Sequence, residues 1–70
     1  MDDDTLNSTV RRFLKEFGVT GHQAIEAAVR AAVAEGRIAE GSSIDVSATL
    51  TVEAVGLVQS IDGVLNTTLD

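Results

Sequence analysis

Seventy residues with 44% hydrophobic content, no proline and no cysteine predict one small domain, near the lower size at which a single core holds without cross-links or a partner. The missing cysteine removes a disulfide framework and a thiolate metal site, and nothing speaks for an oxidising compartment. The formal net charge is −6, and all five basic residues, Arg11, Arg12, Lys15, Arg30 and Arg37, precede position 40, so a polyanion would be repelled by the second half.

The chain opens on acids, MDDDTLNSTVRRF, with no apolar run of the kind a secretory signal needs, and no later stretch approaches the ~20 apolar residues of a membrane span. The expectation is a cytoplasmic protein without a membrane partner. Asp2, Asp3 and Asp4 supply an N-cap and complement the positive end of a helix over 5–17, in which Leu6, Val10, Phe13, Leu14 and Phe17 share one face. That helix carries both phenylalanines, so it is expected to provide the bulkiest part of the core. Gly18 suits a C′ position with positive φ, followed by Val19 as the apolar contact of a Schellman ending.

A second helix is expected over 20–35. Thr20 and Gln23 fit a capping box, Ile25, Ala28, Val29, Ala32 and Val33 form its apolar face, Glu26 and Arg30 pair at i,i+4, and Gly36 closes it. Beside that face runs a stripe of small residues, Ala24, Ala27, Ala31 and Ala34. Two helices joined only by Gly18, Val19 and Thr20 imply a tight corner.

After a loop over 37–43 the period changes to two. Ile44, Val46, Ala48, Leu50 and Val52 alternate with polar residues, which predicts a half-buried strand over 44–52. A reversal at Glu53 to Gly56 leads to a strand over 57–69, whose Leu57, Ile61, Leu65 and Leu69 share one parity. Pairing Val52 with Leu57 puts Ile44 opposite Leu65. Asp62-Gly63 is also a type I′ turn signal, so a split into two strands at 62–63 is the alternative. The fold class is therefore α+β, two N-terminal helices on one face of a small antiparallel sheet: ααββ, or ααβββ if the last segment splits.

The residues Phe13-Leu14-Lys15, Gly18-Val19-Thr20, Ile25-Glu26, Ala28-Val29-Arg30, Leu50-Thr51-Val52 and Gly56-Leu57 resemble a family of short bacterial proteins, about this long, known only as a domain of unknown function. The likeness covers nearly the whole chain and departs after Gly56, where Asn66, Thr67 and Thr68 replace a glutamate-rich ending. It implies a bacterial, cytoplasmic, free-standing domain and assigns no catalytic or binding residue.

Catalysis is poorly equipped: serines and threonines are plentiful but none has a histidine or lysine base assigned to it, and His22, the single histidine, with Glu26 one turn on gives two ligands, too few for a metal site. No enzyme, cofactor or metal is expected. Gly18-Val19-Thr20-Gly21 superficially resembles the GxxG loop with which KH domains clamp nucleic acid, yet that loop carries basic residues and this one is Val-Thr. A nucleic-acid-binding domain using this corner is the alternative function. The preferred reading is a non-enzymatic protein-interaction or self-associating module, with a homodimer or an unidentified protein partner. Its expected surface is Ala24, Ala27, Ala31 and Ala34 together with Asn66, Thr67, Thr68 and Leu69, because no Lys, Arg or Pro after position 40 blunts a strand edge and the last residues lack a partner in the two-strand register; the alternative is that the loop over 37–43 covers that edge and the molecule is monomeric.

Overall fold

The computed structural model describes residues 3–69. A single helix, α1 (Asp3–Ala34), is followed by β1 (Ser43–Val52), a 3-10 turn (Glu53–Val55) and β2 (Leu57–Asn66). At 1.5 Å per residue a 32-residue helix is about 48 Å long, and it accounts for the 51 Å long dimension of the molecule.

The expected corner between two helices is absent. Gly18 does not take the left-handed conformation, which among the described residues is confined to Gly36, Gly41 and Gly56, and the helix continues through Val19, Thr20 and Gly21. The physical reason lies in what a break requires. Ending one helix and starting another would release four carbonyls and four amides that need new partners, whereas a glycine inside a helix costs only about 1 kcal/mol relative to alanine. The Thr20–Gln23 capping box is consequently unused. The GxxG residues Gly18 to Gly21 are helical, so the helix-helix corner proposed for nucleic-acid binding is not formed as a loop.

The end of α1 is where the sequence placed it. Gly36 has φ 76°, its amide donates to the Val33 carbonyl at 3.1 Å, and the Arg37 amide reaches back to the Ala32 carbonyl at 2.9 Å. These two bonds make a Schellman motif. Of the three aspartates expected to cap a helix starting at 5, Asp3 and Asp4 belong to α1 itself, and Asp2 lies outside the described residues.

β1 and β2 pair antiparallel in the expected register, Val52 opposite Leu57 and Ile44 opposite Leu65. Gly56, with φ 67°, closes the turn by donating to the Glu53 carbonyl at 3.1 Å. Asp62 and Gly63 sit inside β2 opposite Ser47 and Val46, so the hairpin is not split, and β2 ends at Asn66 rather than at 69. One helix and two strands, αββ, replace both the ααββ and the ααβββ arrangements.

The helix lies alongside the hairpin and antiparallel to β1. Phe13 and Phe17 share a groove with Leu50 and Val52, and Ile25 and Val29 share another with Leu65 and Leu69. Packing stops there. Among the described residues no hydrophobic side chain is buried, and Phe13, expected in the core, is 58% exposed. The radius of gyration is 16.0 Å, against about 11 Å for a compact chain of this length. The apolar faces exist as the periodicity predicted, but a single helix flanking two strands has too little surface to cover them. No helix among the described residues is long and apolar enough to cross a membrane.

Candidate functional site

With α1 continuous, a repeat appears that a break at Gly18 conceals. Leu6, Phe13, Thr20, Ala27 and Ala34 recur every seven residues, and Val10, Phe17, Ala24 and Ala31 recur every seven residues between them. The spacing alternates by three and four, which is the a/d pattern of a helix seam. Every residue of this seam is exposed. The half-buried positions of the helix, Gly21, Val29, Ala32 and Val33, lie on a different line, although Phe13 and Phe17 of the seam also border the groove with Leu50 and Val52. The four alanines expected at an interaction surface are thus the C-terminal half of a longer apolar seam whose N-terminal half is Leu6, Val10, Phe13 and Phe17. Those four large residues were missed as surface residues because both phenylalanines were assigned to the core; a heptad count carried through Gly18-Val19-Thr20-Gly21 is the signal that finds them.

The other half of the expected surface lies elsewhere. Asn66, Thr67, Thr68 and Leu69 border an open groove of about 430 Å³ whose helical wall is His22, Ile25, Glu26, Val29 and Arg30, with none of the four alanines. Thr67 does not lack an intrachain partner. It is the one fully buried residue among those described, 2% exposed, and its amide and hydroxyl both donate to the Ser42 carbonyl at 2.9 Å while its own carbonyl accepts from the Gly41 amide at 3.2 Å. Asn66 Oδ1 accepts from both the amide and the hydroxyl of Thr68, at 2.9 and 2.7 Å. The loop after the helix therefore ties down the end of β2, which the parity of the strand could not disclose.

The polar wall of the groove is internally satisfied. Glu26 accepts from Arg30 Nε at 3.3 Å and faces His22 Nε2 at 3.2 Å, all on one exposed helical stripe. The Arg30 hydrogen bond first, and that of His22 second, hold the Glu26 carboxyl below the usual carboxylate range. Among the described residues no group of three or more His, Cys, Asp or Glu is placed to hold a metal ion. The chemistry on offer is apolar contact along the seam, flanked by a self-paired polar stripe.

Searches of curated proteins and of solved structures each gave no match. A family does match, and it agrees with the resemblance to a domain of unknown function: over residues 1–68 the chain belongs to a family of unknown function, DUF6494.

Proposed function

We propose that this protein is a non-enzymatic association module, which completes its hydrophobic core and does its work by covering its apolar surface with another polypeptide. The observation that carries this is the absence of any buried hydrophobic residue among residues 3–69, while Phe13, Phe17, Leu6 and Val10 stand 44–58% exposed along one helix. Folding must offset a conformational entropy cost of about 1–2 kcal/mol per residue, chiefly by apolar burial, and a lone chain with this surface has little to set against it. Soluble monomers rarely leave a contiguous apolar strip of this kind uncovered.

Sedimentation equilibrium across about 5 to 500 μM, the range of an ordinary transient dimer, together with binding of the dye ANS, tests the reading. The expected result is a mass above the monomer, or a monomer that binds the dye along its bare helix. A monomer at every concentration that unfolds cooperatively and leaves the dye dark would sink it.

A further inference from the structure

We propose that the covering polypeptide is a second copy of this chain, laid antiparallel along the α1 seam about a two-fold axis that crosses the helix between Gly18 and Val19. The proposal rests on the association reading above and adds the partner, the surface and the direction.

The area comes first. The chain exposes 5719 Å², whereas a compact folded monomer of 7.3 kDa exposes about 4,200 Å². The excess is roughly 1,500 Å² per chain, or roughly 3,000 Å² for two, which falls in the band of about 2,000–5,000 Å² occupied by obligate homodimers. One further copy is therefore enough in area for an obligate dimer, while Val55, Val58 and Val64 of the hairpin, 68–75% exposed, lie outside the seam.

The volumes then fix the direction. An isologous contact about a two-fold axis requires that residue i meet residue j and residue j meet residue i. In an antiparallel pair each a position faces a d position of the mate, and centring the axis between Gly18 and Val19 sets Leu6 against Ala31, Val10 against Ala27, and Phe13 against Ala24. Every large side chain meets a small one. Nearest the axis, Phe17 meets Thr20, the one polar residue of the seam. A parallel pair does the opposite: it stacks Phe13 on Phe13 and Phe17 on Phe17 at one end and alanine on alanine at the other, wedging the helices apart at the first and leaving voids at the second. The N-terminal half of this helix is complementary to its own C-terminal half, and that is a property of a self-partner rather than of a foreign one. The seam also holds no charged residue from Leu6 to Ala34, so two acidic chains can meet there without burying a charge.

The chain has no cysteine, which leaves a clean background for trapping the arrangement. Chains carrying Leu6→Cys and chains carrying Ala31→Cys are mixed, re-equilibrated and mildly oxidised, with the mass of the unsubstituted protein taken by sedimentation equilibrium. The expected result is a dimer whose mixed 6–31 disulfide greatly exceeds the one-half share that random pairing gives. Should either cysteine weaken the seam, a spin label at Ser8→Cys, on the outer side of the helix, reads the same geometry: a separation of about 30 Å or more from its mate for the antiparallel pair, about 20 Å or less for a parallel one. A dimer that links 6 to 6, or that shows the short Ser8 distance, overturns the antiparallel seam and leaves association standing. A dimer with neither linkage and a distance that fits neither arrangement, as edge pairing of β2 would give, does the same. A monomer throughout overturns the self-partner, and if that monomer also unfolds cooperatively and leaves ANS dark, the association reading falls with it.

Discussion

The amide and the hydroxyl of Thr67 converge on one acceptor, the carbonyl oxygen of Ser42, each at 2.9 Å. Ser42 in turn donates its own hydroxyl to the Ala39 carbonyl at 2.6 Å, so the single hydroxyl proton of Thr67 goes to the shorter of its two carbonyl contacts. The loop after α1 and the residue after β2 are thereby clasped at the only fully buried side chain among those described. Thr67→Val preserves the shape and removes the hydroxyl. We expect a loss of about 1–2 kcal/mol, as for a buried hydrogen bond whose acceptor keeps one donor. A urea midpoint unchanged from the parent would remove the clasp from the account of stability.

Gly18→Ala distinguishes a continuous helix from a corner by its sign. In the continuous helix Gly18 has ordinary helical φ and a Cβ built there meets nothing within 4 Å, so alanine should stabilise by about 1 kcal/mol. At a C′ position with positive φ the same substitution destabilises by a comparable amount. Thermal melts of the two proteins at one concentration decide it, and a lowered Tm would restore the corner.

How much of this was legible follows from which signals are local. The hairpin register was readable because the apolar parity of 44–52 and of 57–65 admits one alignment once Gly56 sets the turn, and a one-residue slip would send every side chain to the other face. Gly36 was readable as a helix end because the pattern stops with it. Gly18 has the same local appearance, and what separates the two is the cost of a break set against continued helix on both sides, which no short window contains. Periodicity also shows which face of α1 is apolar without showing how far it is covered: Phe13 and Phe17 were expected to be buried against the chain's own sheet, and although they border Leu50 and Val52, one helix beside two strands leaves them 58% and 44% exposed. The alanines at 24, 27, 31 and 34 were marked as surface from their position alone, but their continuation through Thr20 to Leu6 could be seen only on an unbroken helix. Thr67 carried no signal at all, since its burial depends on a loop 25 residues earlier in the chain.

Glu26 provides a pH dependence of known sign. Its carboxyl is held below its ordinary value by Arg30 and then by His22. A depressed folded pKa means that the stability it contributes is present above the unfolded-state value and is lost as pH falls through the lower folded value. The groups are exposed, so the effect is small and screened by salt. A carbon-detected NMR titration should place the Glu26 midpoint below that of glutamate in an unstructured peptide, and Arg30→Ala should move it upward. A midpoint indifferent to Arg30→Ala would show that the 3.3 Å contact is not maintained in solution.

The seam makes a prediction that no single substitution can imitate. Phe13→Ala leaves a cavity opposite Ala24 of the mate, and removal of an aromatic from a packed site costs about 3–5 kcal/mol, enough to dissociate an ordinary dimer. Ala24→Phe sets two phenylalanines against each other, and overpacking of this kind costs about 1–3 kcal/mol. In the antiparallel pair the two positions face one another across the axis, so the double variant Phe13→Ala with Ala24→Phe restores one large and one small residue at each site. Its dimer should recover most of the affinity that either single change removes, and its Tm should again rise with protein concentration, as expected where folding and association are linked. In a parallel dimer, or one joined through a strand edge, positions 13 and 24 never meet and the two losses simply add. Sedimentation equilibrium on the four proteins reads the coupling directly, and a double variant weaker than both singles would exclude the antiparallel seam.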